Sequence, residues 1–486
     1  MSMTSRVLRN AAFQMVSQLV TTALALLFNV AVPHFLGAEG FGQIFFALSF
    51  ALIASVFMNL GINTFLQKEV ARDSSEGERL LAQAMSVKLA LALLIYPLTL
   101  LVGRWMGVTG DALTALDVIS LAFVIGSFGQ TFSNYLLGEQ LGWAPAAGLI
   151  LDKIVLTVGS IGLLWAGYGI VSVAWVYLAG QILSTVYTGW VLYRKVPFAL
   201  GFDRAAFAHI VKGSAPFMVW VVFGEIYIRI DVLMLASMAG DEVVGWYGTA
   251  FRLYGTLLFI PNIFMSAVFP AITRKFATDE AEAGQATRRS FNLMLLVAVP
   301  IGLGTMLVAK HVIELLYDDA EFFHSIGNLQ VLGLSMILVC ANVVIGSALI
   351  ANDRQAAWAR TAVIAAFVNP ALNWVLIPYF HANMGNGGFG AALATLVTEC
   401  FMLVAFVRLL PAGIFDRGCS VTTLRALCAG VAMLLAAQPV MHLGLIPIVL
   451  VSGAAYVAAV LAFRVIPRDD LHHIVHAVRA AAKRGA

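Results

Sequence analysis

Two short glycine-bearing stretches, Gly37–Gly42 (GAEGFG) and Gly240–Gly245 (GDEVVG), decide the fold of this chain. They lie 203 residues apart, and each stands between two long apolar runs. Extending the comparison without a gap brings Asn59 over Asn262. A weak internal repeat of apolar runs is typical of secondary transporters, which are built from two related halves. The repeat therefore indicates transport rather than catalysis.

The composition is that of an integral membrane protein. The chain is 61% hydrophobic and 11% charged, whereas a soluble domain has about 25% charged residues, and its mean hydropathy is +0.90. A membrane span needs about 20 apolar residues, and the sequence contains fourteen such runs. The predicted spans are 12–34, 43–66, 81–103, 115–138, 148–166, 170–193, 213–239, 249–272, 290–310, 326–350, 360–380, 389–410, 422–440 and 444–465. We therefore expect an all-α membrane protein with fourteen transmembrane helices.

The repeat divides these spans into two pseudo-symmetric six-helix lobes and two extra C-terminal helices. The predicted segments are an N-terminal lobe (1–193), a cytoplasmic linker (194–212), a C-terminal lobe (213–410), spans 13 and 14 (411–465) and a cytoplasmic amphipathic tail (466–486). Both lobes start and end on the same side, so the repeat is parallel, about an axis along the membrane normal. No small-residue cleavage site follows the first apolar run, so we expect span 1 to be retained.

Positive charge is distributed unevenly between the two sides. Of the 29 lysines and arginines, 23 fall on the side of the N-terminus, and only Arg104 and Lys310 fall in loops on the other side. The remaining four lie within spans. Because cytoplasmic loops carry the excess of positive charge, this bias predicts that both termini are cytoplasmic.

Span 7 has the densest intramembrane charge, with Glu225, Arg229 and Asp231 in one stretch. Glu225 and Arg229 are four residues apart and share a helix face. Asp231 points elsewhere, and Arg252 in span 8 lies at a compatible depth to meet it. These charges form either structural ion pairs or the wall of a charged pathway. Intramembrane charge marks pathways more often, so we take both arginines as substrate-binding candidates and Glu225 and Asp231 as ion-coupling candidates.

Single polar residues in other spans supply further candidates. Glu399 lies in the middle of span 12 without an obvious local partner, which makes it the leading candidate for ion coupling. Lys88 is close enough to the inner surface to snorkel, and it is otherwise a candidate for substrate binding. Asp152 and Lys153 open span 5, where a local pair or snorkelling accounts for them. Asn59 and Asn262, at matched repeat positions, are either pathway residues or interhelical hydrogen-bonding groups.

The sequence contains no pattern that indicates an enzyme. It has no phosphate-binding glycine loop of the P-loop type, no nucleophile elbow and no His/Cys cluster with metal-ligand spacing. We therefore expect no catalytic residues, no bound metal, no cofactor and no nucleic-acid partner.

Several motifs resemble those of the Wzx-type oligosaccharide flippases, a polysaccharide transporter family. Residues 369–378 (NPALNWVLIP), followed by 387–395 (GGFGAALAT), are similar to the family pattern N-x-x-L-N-x-x-L-I-P…G-x-x-G-A-A-x-A-T. The stretches 230–235 (IDVLML) and 244–252 (VGWYGTAFR) are also similar. The family belongs to the superfamily of the MATE exporters and the lipid II flippase, so the resemblance implies a MATE-like fold.

The resemblance implies that the chain moves an undecaprenyl-diphosphate-linked oligosaccharide from the inner to the outer leaflet. Arginine suits phosphate oxygens, which gives Arg229 and Arg252 a role, and Asn369 and Asn373 of the motif join the substrate-binding candidates. Partners implied are membrane lipid, a polymerase and glycosyltransferases. Span 1 carries no charge, unlike that of the lipid II flippase, which argues against the peptidoglycan branch. Two alternatives remain: a MATE-like cation-coupled exporter of small molecules, and a membrane scaffold for polymer assembly.

Overall fold

The computed structural model describes residues 3–196, 204–317, 320–411 and 413–465, and these residues form an all-helical protein. Its α-helices are α1 (Met3–Asn59), α2 (Ile62–Arg72), α3 (Gly77–Trp105), α4 (Gly110–Gly138), α5 (Trp143–Trp165), α6 (Ile170–Tyr193), α7 (Arg204–Met238), α8 (Asp241–Leu257), α9 (Phe259–Phe276), α10 (Glu280–Tyr317), α11 (His324–Ala351), α12 (Gln355–Met384), α13 (Gly387–Leu409), α14 (Arg417–Ala437) and α15 (Leu445–Ala462). Short 3₁₀ helices cover Ser74–Glu76, Ala320–Phe323 and Gln438–Leu443. The predicted tail 466–486 lies outside the described residues.

Twelve stretches of the described chain are long and apolar enough to cross a membrane, so the protein is a multi-pass membrane protein. The sequence predicts fourteen spans, and the difference of two comes from two parts of the chain. Spans 1 and 2 fall in one 48-residue stretch, Ala12–Asn59, which is interrupted by the non-helical residue Gly37. Span 7 falls on α7, which is not among the twelve stretches. The count of fourteen therefore stays a prediction.

Some helix ends differ from the predicted boundaries. The predicted span 43–66 is not one continuous helix, since α1 ends at Asn59. The helix ends there because Leu60 and Gly61 both adopt left-handed backbone conformations, with φ of 41° and 78°. That conformation cannot continue a right-handed helix, and the chain restarts as α2. The predicted linker 194–212 is also shorter than expected, since α7 already begins at Arg204.

The described chain forms two compact units. The first is Met1–Thr249 with Asn369–Ala391, and the second is Ala250–Val368 with Ala392–Ala486. In the first unit α4 packs on α6, α5 packs on α6 and α1, and α7 packs on α1, α2 and α3. In the second unit α10 packs on α11, and the hairpin of α14 and α15 packs on α10. The division into lobes at 1–193 and 213–410 stays a prediction.

The two repeated glycine stretches contact each other within the first unit. A Cβ atom on Gly42 would lie 1.8 Å from the carbonyl oxygen of Asp241, and one on Gly245 would lie 2.0 Å from that of Ala38. Asp241 is the residue 203 positions after Ala38, and Gly245 is the residue 203 positions after Gly42. The contact is therefore reciprocal: the last glycine of each stretch packs against the backbone carbonyl of the equivalent residue in the other stretch. Only glycine permits this approach, and the repeat thus forms a local pseudo-two-fold helix crossing.

Candidate functional site

The ion pair predicted in α7 is present. Arg229 Nε donates to Glu225 Oε2 at 3.0 Å, and the two side chains are 22% and 34% exposed. This spacing of four residues places both groups on one helix face. The two terminal nitrogens of Arg229 make no hydrogen bond to any residue that the structure describes. The guanidinium is thus partly exposed, and its two NH₂ groups are donors that can bind an anion in a bidentate manner.

Asp231 has a partner that the sequence argument missed. Its side chain is buried, Oδ1 accepts from the backbone N–H of Val232 at 2.9 Å, and Oδ2 accepts from the hydroxyl of Tyr247 in α8. A tyrosine hydroxyl can satisfy a buried carboxylate without bringing a second charge into the membrane. Tyr247 belongs to the motif 244–252, so the signal was present in the sequence, but its role as a donor was not evident.

Arg252 lies in the fourth turn of α8 and is half-buried. Within the second unit its charge lies close enough to the hydroxyl of Tyr317 in α10 for electrostatic interaction. Because α8 begins at Asp241, Arg252 is deeper in its helix than the predicted span 249–272 suggested. Its assignment to substrate binding stays a prediction.

Lys88 does not snorkel, and that expectation is wrong. The side chain is 0% exposed, and Nζ donates to Asn59 Oδ1 at 2.6 Å, to Asn63 Oδ1 at 2.7 Å and to the Ser127 carbonyl oxygen at 2.9 Å. An ammonium group has three N–H donors, so all of them are used inside the protein. The structure thus brings the buried Lys88 together with Asn59, which is partly buried.

The other asparagine candidates fall into two kinds of environment. Asn369 and Asn373 of α12 are buried, and Asn373 Nδ2 donates to Asn369 Oδ1 at 2.9 Å. The Asn373 side-chain oxygen is buried without a hydrogen-bond partner among the described residues. Asn262 is exposed, and its amide donates to the Leu258 carbonyl of its own chain segment at 2.8 Å. The matched repeat positions Asn59 and Asn262 therefore have different surroundings.

Glu399 also has a neutral partner. It is 6% exposed, and Asn342 Nδ2 in α11 donates to its Oε2 at 2.7 Å and to its backbone oxygen at 3.0 Å. Asn342 lies 57 positions earlier in the chain, which is why local spacing did not reveal it.

Asp152 and Lys153 do not open their helix, because α5 begins ten residues earlier than Lys153, at Trp143. The local pair is nevertheless present, with Lys153 Nζ 3.1 Å from Asp152 Oδ2. Gln181 of α6 also donates to Asp152 Oδ1 at 3.1 Å.

Comparison with known proteins identifies the family. The sequence profile described as "Polysaccharide biosynthesis protein" matches residues 7–276, which is more than half of the chain. The protein therefore belongs to the polysaccharide biosynthesis protein family, and the resemblance to Wzx-type flippases is confirmed. The MatE profile matches residues 216–375. No curated protein matches.

Solved structures show the fold. The lipid II flippase MurJ in its inward closed conformation has a TM-score of 0.73 at 16% identity, covering 93% of this chain and 99% of that one. An inward-facing multidrug resistance MATE family transporter of the MOP superfamily has a TM-score of 0.66 at 16% identity, covering 80% and 98%. A mutant of the Vibrio cholerae MATE transporter VcmN has a TM-score of 0.54 at 12% identity, covering 85% and 98%. The expected MATE-like fold is confirmed.

Proposed function

We propose that this protein is a flippase that moves undecaprenyl-diphosphate-linked oligosaccharide repeat units across the bacterial cytoplasmic membrane by alternating access. Transport runs from the inner to the outer leaflet and supplies surface polysaccharide synthesis. The observation that carries the proposal is the polysaccharide family match over residues 7–276. The fold agrees with the proposal, since the structural match to the lipid II flippase covers 93% of this chain and the match to the multidrug transporter covers 80%.

The chemistry of the headgroup suits Arg229. A diphosphate carries negative charge into a membrane protein, where Coulomb interactions exceed their value in water several-fold. Arg229 is tied through Nε to Glu225, so its orientation is set while both terminal nitrogens stay available. Planar guanidinium donors match phosphate oxygens two at a time. Arg229 is the proposed diphosphate ligand of the first unit, where Asn369 and Asn373 are proposed contacts to the same substrate. Arg252 and Asn262 belong to the second unit and are proposed separately as substrate-binding residues.

Ion coupling is assigned to the buried carboxylates. Asp231 and Glu399 each bond a neutral donor, Tyr247 and Asn342 respectively. A carboxylate buried in a membrane span is a group that can take up a proton or a cation during transport, which is what ion coupling requires. Glu225, in contrast, forms an ion pair with Arg229, and we propose that it orients that arginine.

Both termini are proposed to be cytoplasmic, in agreement with the bias of positive charge. The proposed partners are the enzymes that make and use the same carrier-linked glycan, namely glycosyltransferases on the inner side and a polymerase on the outer side. A MATE-like exporter is the second candidate, favoured by the MatE match over residues 216–375.

The test compares Arg229→Ala with Glu225→Ala in a strain that lacks the native gene. Surface glycan display and membrane abundance are measured for each variant. If Arg229 binds diphosphate, Arg229→Ala loses display at normal abundance, Arg229→Lys restores part of it, and Glu225→Ala keeps most of it. Equal loss of display from both alanine variants would show that the ion pair is only structural. Export of a cationic dye with normal glycan display in the deletion strain would favour the exporter.

A further inference from the structure

The surroundings of the Lys88 ammonium group form a built polar site inside the first unit. Its three acceptors come from three different segments: Asn59 ends α1, Asn63 is the second residue of α2, and Ser127 lies in α4. All three acceptors are neutral oxygens at 2.6–2.9 Å from Nζ. Three oxygens around one nitrogen match the three N–H bonds of a charged primary ammonium group.

The break between α1 and α2 makes this site possible. Leu60 and Gly61 turn the chain through left-handed conformations, so that Asn59 and Asn63 direct their side-chain oxygens at one point. Asn63 Nδ2 also donates to Asn59 Oδ1 at 3.2 Å, and Thr131 donates to Asn63 Oδ1 at 3.2 Å. The oxygens are therefore fixed by a network and do not depend on Lys88 alone for their positions. A left-handed leucine costs free energy, which the contacts around the break must offset.

The site has the chemistry of a receptor for a monovalent cation. Its oxygens are uncharged, and a buried ammonium in such surroundings is held by ion–dipole hydrogen bonds, which are stronger than bonds between neutral groups. Because every N–H of Lys88 is used and the side chain is fully buried, the group has no donor left for a transported anion. We therefore infer that the Lys88 ammonium group holds the helices together and does not bind the substrate.

We propose that the oxygens of Asn59, Asn63 and Ser127 form a binding site for a primary alkylammonium ion, and that the Lys88 side chain is its permanent tethered occupant. The bound charge holds α1, α2 and α4 together at the break. The site is filled by the chain itself, so this part of the first unit loads no exchangeable ion. The inference concerns the folded protein alone and does not depend on which substrate is transported.

The experiment replaces the tethered ion by a free one. Lys88→Ala removes Cγ, Cδ, Cε and Nζ, and propylammonium has the same three carbons and one nitrogen. The full-length variant is purified in detergent. We expect its Tm to fall by on the order of 5 °C or more, and propylammonium to restore it saturably. Propan-1-ol, which has the same length without charge, and tetramethylammonium, which has charge without N–H donors, are expected to restore nothing. Wild type should respond to none of the three.

A second pair of variants keeps the proposal testable if Lys88→Ala does not fold. Asn59→Asp places a carboxylate beside the ammonium at the same side-chain size but loses the bond from Asn59 Nδ2 to the Ser55 carbonyl oxygen, so its Tm should stay close to that of wild type. Asn59→Leu has a similar size without an oxygen, and should lower Tm. The proposal is overturned if Lys88→Met matches wild type in Tm, if propan-1-ol restores Lys88→Ala as well as propylammonium does, or if Asn59→Leu is as stable as Asn59→Asp.

Discussion

The reciprocal glycine contact gives a quantitative prediction for Gly245→Ala. The new methyl carbon would lie 2.0 Å from the carbonyl oxygen of Ala38, whereas ordinary contacts begin near 3.4 Å. The two helices must therefore move apart by roughly 1.4 Å, because a backbone carbonyl cannot rotate away as a side chain does. Overpacking typically costs 1–3 kcal/mol. We expect about 3 kcal/mol here, which exceeds the 0.5–1 kcal/mol that alanine gains over glycine in a helix.

The matched control is Gly255→Ala, in the same helix, where an added Cβ meets nothing within 4 Å. Thermal unfolding of the detergent-purified proteins should show a Tm lowered by roughly 3 °C for Gly245→Ala and an unchanged or raised Tm for Gly255→Ala. The double variant Gly42→Ala/Gly245→Ala should cost less than the two single changes together, because one helix displacement relieves both clashes. A Tm for Gly245→Ala equal to that of Gly255→Ala would refute the reciprocal contact.

Two further predictions concern topology and Asp231. Fusion of a reporter that is active only outside the cytoplasmic membrane should give activity at 240–248 and none at 274–289, and the opposite pattern would reverse the proposed direction of transport. Tyr247→Phe should lower the free energy of unfolding by about 1–3 kcal/mol, because it leaves the buried Asp231 carboxylate short of a donor. The same substitution in an Asp231→Asn background should cost less, and equal costs in both backgrounds would show that the hydrogen bond does not contribute.

Local periodicity in the sequence was sufficient to predict most of the fold. Apolar runs predicted a multi-pass helical membrane protein, and the repeat offset of 203 predicted which glycines are equivalent. The pair Glu225 and Arg229 followed from helix spacing alone, because both residues lie on one turn of one helix. Such predictions succeed because they depend on only a few neighbouring residues.

The surroundings of the buried charges could not be predicted in the same way. Lys88 binds oxygens 25, 29 and 39 positions away, and two of these converge only because the chain turns at Leu60. The left-handed conformation of a leucine has no sequence signal, since leucine favours helix. Glu399 likewise depends on a residue of another helix, Asn342. Single polar residues in apolar runs therefore identify candidates, but the packing of other helices decides whether they are buried partners or accessible groups.

The central claim, that the protein moves a diphosphate-linked glycan through contact with Arg229, is tested most directly with purified protein in liposomes. The substrate is a polyprenyl-diphosphate oligosaccharide carrying a label that an external reagent can remove only from the outer leaflet. Wild type and Glu225→Ala should expose the inner-leaflet label, and Arg229→Ala should leave it protected at equal protein content. Equal exposure by wild type, Arg229→Ala and protein-free liposomes would contradict the account.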